Sequence, residues 1–141
     1  MAKFISVDDY INHQPLHLQQ LIQRLRVLIM NAHPKMREHF MINTPMYAVK
    51  KDVCYFGKIH PVKGLEIGFL RGFQLSNEQG LLEAKSRKFI HGITLLDIHD
   101  LKAKETAFLE ILQEALILDE INEKSIFSEI LQAGRQKKNK S

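Results

Sequence analysis

Three cationic side chains lie close together in the middle of the chain, at Lys85, Arg87 and Lys88. They end a polar stretch, residues 71–90, between two segments that have the composition of β-strands. In an extended backbone Lys85 and Arg87 project to one side and Lys88 to the other. Two cations on one side, beside the free amides of a turn, can hold a phosphate or a carboxylate. The alternative is a solvated entry into a strand, where the charge guards a sheet edge.

The first half of this stretch carries a helix-start signal. Ser76 followed three residues later by Gln79 matches a capping box, in which the serine hydroxyl accepts a hydrogen bond from the N3 amide. Leu75 occupies the position of a hydrophobic staple residue, and Gly80 follows too soon for a long helix. The sequence therefore predicts a capped helical turn that its leucines anchor to the core.

Other residues that could do chemistry lack the spacing that a site requires. The seven histidines form no HExxH pattern, and no CxxC pair occurs. Cys54 lies in an apolar segment without an adjacent histidine, which is typical of a core residue rather than a nucleophile. No GxSxG, P-loop or GxGxxG motif is present. We therefore expect no catalytic residue and no cofactor, and the sequence favours a protein that is not an enzyme.

Length and composition are those of one globular domain. A chain of 141 residues can bury a core without disulfides or metals, and 45% hydrophobic residues is an ordinary value. The single cysteine excludes an internal disulfide and suits a reducing compartment. No apolar run has the length of a signal-peptide core or a transmembrane helix. We expect a cytoplasmic protein that does not associate with membranes.

Positive charge is concentrated at the C-terminal end. Residues 135–141 contain Arg135, Lys137, Lys138 and Lys140. Without these four, the 20 Lys and Arg of the chain fall to 16, which equals its 16 Asp and Glu. A neutral body with a short basic tail attracts polyanions weakly and in a salt-sensitive way, so nucleic acid is not expected as a partner. The tail, residues 135–141, is predicted to be disordered.

Hydrophobic periodicity predicts two helices at the N-terminal end. Ser6 is the expected N-cap of a short helix over residues 6–12. Pro15 is expected at the first position of a longer helix that ends before Pro34. The buried face of that longer helix is predicted to contain Leu18, Leu21, Ile22, Leu25, Leu28, Ile29 and Ala32.

Strands and further helices follow. Runs of β-branched and aromatic residues predict strands at 47–49, 53–59, 64–70 and 89–96, with a hairpin loop at 60–64. A turn at 97–101 precedes a second amphipathic helix, predicted over about 104–118. The predicted fold class is α+β: an antiparallel β-sheet of about four to five strands packed against N-terminal and C-terminal helices.

A last helix is predicted over about 123–133, with Asn122 as its N-cap and Gly134 as its C-terminal stop. Its apolar stripe consists of Ile126, Phe127, Ile130 and Leu131. A helix of that length is marginal alone in water, so the stripe must be buried against a partner. Residues 122–134 are expected either to dock on their own chain, giving a monomer, or to pair with a second chain, giving a homodimer. The predicted single domain spans residues 1–134.

Several segments resemble the YdhG-like family of small bacterial proteins, a family defined as a domain of unknown function. The similar segments are VDDYI at 7–11, TPMY at 44–47, VCYF at 53–56, GF at 68–69, RGFQLSNEQGLLEAKSRK at 71–88 and ILQEALILDE at 111–120. The resemblance covers about residues 7–120 and leaves the last helix outside it. It implies a compact α+β fold with an antiparallel sheet on helices, and it brings no agreed catalytic residues.

One branch of that family has been likened to frataxin and proposed as an iron chaperone. In that branch the role depends on an acidic surface on the first helix. Here the charged residues between Gln14 and Ala32 are Arg24 and Arg26, without any Asp or Glu. Because iron binds to gathered oxygen ligands, the carboxylates of residues 105–123 are the alternative place, with Glu110 and Glu114 as the candidate metal ligands.

The sequence thus predicts a non-enzymatic binding or accessory domain that takes a small anionic ligand. A frataxin-like intracellular metal chaperone is the alternative. The predicted ligand-binding residues are Arg71, Ser76, Asn77, Arg87 and Lys88, with Tyr47 and Tyr55 as walls.

Overall fold

The computed structural model describes residues 3–139, and side chains as far as residue 135. Within this described part, four α-helices and five β-strands follow one another in an α+β arrangement, which confirms the predicted fold class. The helices are α1 (Val7–Asn12), α2 (Leu16–Asn31), α3 (Ile98–Ile121) and α4 (Ile126–Asn139). The strands are β1 (Arg37–Met41), β2 (Thr44–Ala48), β3 (Asp52–His60), β4 (Gly64–Phe69) and β5 (His91–Leu95). A 3₁₀ turn (Gly72–Gln74) lies between β4 and β5.

The five strands form one antiparallel sheet in the order β1-β2-β3-β4-β5, so each strand pairs with its neighbour in sequence. One face of the sheet packs against α2 and α3. Helices from both ends of the chain therefore share one core with the central strands. The largest fully buried side chains there include Tyr47, Phe56, Phe69 and Phe108.

The N-terminal helices follow the predicted pattern closely. The Ser6 hydroxyl accepts a hydrogen bond from the Asp9 amide at 3.0 Å, as expected for the N-cap of α1. In α2 the predicted apolar face is buried at five positions and half-buried at Leu28 and Ala32. Pro15 occupies the N-cap of α2 rather than its first helical position, since its ψ of 152° is extended. That is one residue from the prediction.

Strand β1 was missed by the sequence analysis. Its residues, REHFM, show no apolar alternation, because β1 is an edge strand whose side chains are exposed or half-buried. Its pairing with β2 is supported by the partly buried Phe40 and by polar side-chain contacts. The Glu38 carboxylate accepts hydrogen bonds from the Arg26 guanidinium of α2 and from the Tyr47 hydroxyl of β2 at 2.7 Å.

The last helix differs from the prediction at both ends. Asn122 ends α3, where its backbone and side-chain N–H groups donate to the Leu118 carbonyl. The hydroxyl that caps α4 belongs to Ser125, which accepts from the Ser128 amide at 3.1 Å. Gly134 does not stop the helix, which continues to Asn139, since an interior glycine costs a helix only about 1 kcal/mol. Residues 135–139 of the predicted tail are therefore helical, and residues 140 and 141 lie outside the described part.

The start of α4 docks on its own chain. Ile126 is 4% exposed. The buried Arg71 guanidinium donates to the Glu129 carboxylate at 3.0 Å and to the Lys124 carbonyl. Phe127, Ile130 and Leu131 are exposed, so only Ile126 of the predicted stripe is buried, and the homodimer stays a prediction. Within the described residues, no helix is both long and apolar enough to cross a membrane.

A buried carboxylate fastens α3 to the sheet. Asp119, 5% exposed, accepts hydrogen bonds from the Lys50 and Lys51 amides at 2.9 and 3.0 Å, and its carboxylate lies 3.4 Å from the Lys51 ammonium. These contacts satisfy the backbone of the β2–β3 turn. The neighbouring pair of Lys50 and Glu120, at 3.1 Å, is exposed on both sides.

We expect Asp119→Ala to lower the free energy of unfolding by about 2–3 kcal/mol, because it leaves two turn amides without their acceptor and removes the charge that faces the Lys51 ammonium. Urea denaturation measures this loss. Glu120→Ala is the matched control and should change the free energy by less than about 0.5 kcal/mol, since its ion pair is exposed. Equal effects of the two substitutions would contradict this role of Asp119.

Candidate functional site

The candidate site lies on the face of the sheet opposite the helical core. Strand residues alternate between faces. Since Phe56 and Ile67 belong to the core, Tyr55, Glu66 and Gly68 point to the opposite face. The strand register places Gly92 of β5 next to Gly68, and Gly68 next to Tyr55.

Two glycines let large side chains lie flat against this face. A Cβ at Gly68 would stand 2.7 Å from the Tyr55 ring, and one at Gly92 would stand 2.7 Å from the Cγ and Cδ atoms of Glu66. Both distances are far below van der Waals contact. Tyr55 and Glu66 therefore cover the backbone of the adjacent strand, and the space above them stays open.

Glu66 is the electrostatic centre of this face. Its side chain is 5% exposed, and the Arg87 guanidinium binds it through two parallel hydrogen bonds of 2.8 Å each. The Lys85 ammonium lies 3.2 Å from the same carboxylate. Burial would raise the pKa of Glu66, but the hydrogen bonds from Arg87 and Lys85 outweigh it and lower that pKa below its ordinary value. The hydrogen bond to Glu66 in turn raises the pKa of Arg87.

The turn that carries the two cations departs from the extended backbone that the sequence predicts. Lys85 and Ser86 both have positive φ, 50° and 64°. The Arg87 amide closes a turn on the Ala84 carbonyl at 2.9 Å. Just before this turn, Glu83 exchanges two backbone hydrogen bonds with Gly92 and so adds to the outer edge of β5. The segment thereby folds back over the sheet, and both cations reach Glu66.

The capping box does not form the predicted helical turn. Asn77 has a positive φ of 56°, and its side-chain oxygen accepts from the Leu82 amide at 3.0 Å, which competes with a helix. The Ser76 amide donates to the Glu114 carboxylate at 2.8 Å. The predicted anchoring is nevertheless present, since Leu75 and Leu82 are buried in the core.

An open cleft of about 1020 Å³ extends over this face. Its walls are mostly apolar and include Ile42, Met46, Tyr55, Ile59, Ile90 and Phe127. The charged residues that line it are three cations, Lys58, Lys85 and Arg87, and one carboxylate, Glu66, within the described chain. A bulge in β3 places Gly57 and Lys58 opposite the single residue Glu66, which brings a second lysine to the cleft.

Two of the seven predicted ligand-binding residues lie in this cleft, Tyr55 and Arg87. Tyr47 is fully buried in the core, where its hydroxyl donates to Glu38, so it is not a wall of the cleft. Lys88 lies over the Phe89 ring, 5.2 Å from its centroid. The structure therefore does not bring the predicted ligand-binding residues together in one site.

The other three predicted residues make structural contacts elsewhere. Arg71 holds α4, Ser76 donates its amide to α3, and Asn77 closes its own loop. Glu66 was not predicted as a site residue, because its position in the alternating run GLEIGF suggests a solvated side chain. The glycines at 57, 68 and 92 were the available signal, since glycine in a strand marks close approach of another group.

The two residues predicted as metal ligands, Glu110 and Glu114, lie one turn apart on α3. Glu110 is exposed, and Glu114 accepts the Ser76 amide. Among the residues that the structure describes, no three His, Cys, Asp or Glu side chains come together as metal ligands would. Cys54 is fully buried, and burial raises the pKa of its thiol to about 12, in line with a core position.

Comparison with known proteins gives no match: no family model, no curated protein and no solved structure matches this chain. The resemblance to the YdhG-like family therefore stays a prediction. The residues that line the cleft are the feature of this structure that bears on function.

Because the pKa of Glu66 is lowered in the folded protein, we expect its contribution to the free energy of unfolding to depend on pH. A carboxylate with a depressed folded-state pKa contributes stability that is fully present above its ordinary pKa and is lost as pH falls through the folded value. At pH 7 we expect Glu66→Gln to lower the free energy of unfolding by about 2 kcal/mol, since Arg87 loses a charged acceptor. Urea denaturation between pH 3 and 7 should show this difference shrinking below about pH 4.5.

Glu105→Gln provides the control, because Glu105 forms a partly exposed pair with Arg24 at 3.2 Å. Its effect should stay within about 0.5 kcal/mol at every pH. A difference between wild type and Glu66→Gln that is constant from pH 3 to 7 would count against the ion-pair assignment.

The close packing of the Tyr55 ring on Gly68 can be tested by substituting the glycine. Gly68→Ala should push the Tyr55 ring off the strand and into the cleft, and lower the free energy of unfolding by about 1–3 kcal/mol. Gly134→Ala in α4 is the matched control, since a Cβ there meets nothing within 4 Å. It should raise stability by about 0.5–1 kcal/mol. A neutral Gly68→Ala would show that the ring does not lie on the strand.

Proposed function

We propose that this protein is a non-enzymatic binding domain whose cleft takes a small amphipathic anion, with an apolar body and one acidic group. The observation that carries the proposal is the lining of the cleft: apolar walls around a cluster in which three cations outnumber one carboxylate. Ligand pockets commonly combine a large apolar surface with a few polar groups that fix orientation.

The two lysines are the groups that meet the acidic end of the ligand. Arg87 uses both of its terminal nitrogens on Glu66. Lys85 is 45% exposed and has three donors, of which one faces Glu66 and another lies 3.4 Å from the Thr94 hydroxyl. Lys58 is exposed at the β3 bulge. Glu66 thus neutralises the guanidinium, and the lysines supply the excess charge.

The apolar side chains receive the body of the ligand. Tyr55 forms the floor, since its ring lies along Gly68. Phe127, 42% exposed on α4, gains burial when a ligand fills the cleft. Such burial stabilises the complex by roughly 25 cal/mol for each Å² of apolar surface removed from water.

We also propose that the protein is an accessory domain of the YdhG-like family that acts in the cytoplasm. The segments VDDYI, TPMY and RGFQLSNEQGLLEAKSRK support the family. The single, buried cysteine supports a reducing compartment.

Octanoate, octanol and acetate form a probe series that tests this function. Octanoate has both the apolar body and the acidic group, so it should raise the melting temperature most and bind in calorimetry with an affinity that falls at high salt. Lys58→Gln combined with Lys85→Gln should weaken octanoate about fivefold.

Lys63→Gln combined with Lys102→Gln is the matched control, since both lysines are exposed and lie outside the cleft lining. The control should bind octanoate as the wild type does. No octanoate binding at millimolar concentration, or equal binding of octanol and octanoate, would refute the proposal.

A further inference from the structure

The hairpin between β1 and β2 has an unusual residue at its tip. Ile42 and Asn43 form a two-residue turn between Met41 and Thr44, which pair with each other. Both turn residues have positive φ, 52° and 62°, the pattern of a type I′ turn. Asn-Gly and Asp-Gly favour such turns, and a β-branched residue there is an outlier.

Folding gains nothing evident from isoleucine at this position. Ile42 is 80% exposed, so its side chain stays in water while its backbone is held in the left-handed region. Asparagine or glycine would remove both disadvantages. Strain of this kind persists where the surroundings enforce it, and it clusters at binding and active sites.

The turn is held in place and lines the cleft. The Asn43 side-chain oxygen accepts the Phe4 amide at 2.7 Å, and the Thr44 hydroxyl donates to the Phe56 carbonyl. Ile42, Asn43 and Thr44 all lie at the cleft lining, where Ile59 is also found. A rigid turn thus presents an exposed apolar side chain at the site.

We infer that Ile42 is a specificity determinant of the cleft: it contacts the apolar body of the ligand and selects anions with a long hydrophobic part over small acids. This inference rests on the proposed function. It accounts for the isoleucine, because ligand contact buries a side chain that the free protein leaves in water.

Ile42→Asn separates the two effects, since it relaxes the turn and removes the apolar contact. We expect the melting temperature of the free protein to rise by about 3 °C. Octanoate affinity, measured by calorimetry, should fall about tenfold. Ile42→Val keeps a branched apolar side chain and should bind octanoate within about threefold of the wild type.

Val62→Asn is the control, because Val62 is 74% exposed in the β3–β4 turn and does not line the cleft. It should leave octanoate affinity unchanged. If Ile42→Asn is more stable and binds octanoate like the wild type, the inference falls while the proposed function stands. If the wild type binds no octanoate, both fall. Ile42→Gly, which relaxes the same turn, must reproduce the loss of affinity, and full affinity in that variant also overturns the inference.

Discussion

The hydrogen-bonded ion pair between Glu66 and Arg87 is the interaction on which the second face of the sheet depends. A carboxylate with a side chain 5% exposed is costly to desolvate unless charged donors compensate it, and here two parallel bonds of 2.8 Å do so. Arg87 comes from a loop, so the pair also ties residues 71–90 to the sheet. One contact thereby stabilises a buried charge and positions a long connection.

The two faces of the sheet differ in packing and in charge. The face toward α2 and α3 carries the continuous apolar core, with Phe56, Ile67 and Phe69 at its centre. On the opposite face Gly68 and Gly92 have no side chains, so Tyr55 and Glu66 lie flat against the backbone there and leave a cleft above them. Stability is thus supplied mainly by one face. The cleft on the other face is lined by an excess of positive charge and by the exposed Ile42, and we propose that both contact a ligand.

The sequence predicted the elements in which one physical effect decides the structure, such as the apolar stripe of α2 and the β-branched and aromatic run of β3. It failed where distant contacts decide. Strand β1 pairs with β2, and its Glu38 meets Arg26 and Tyr47, contacts that REHFM alone does not show. Glu66 finds its partners 19 and 21 residues further along, at Lys85 and Arg87, so its burial has no local signal.

The ion pair of Glu66 and Arg87 holds the end of segment 71–90 against the sheet. Amide hydrogen exchange of wild type and Arg87→Gln tests it most directly, because Glu83 and Gly92 exchange two backbone hydrogen bonds at the point where the segment joins β5. We expect these two amides to exchange at least about tenfold faster in the variant, while the amides between β3 and β4 keep their protection. Unchanged exchange at Glu83 and Gly92, or equal acceleration throughout the sheet, would contradict it.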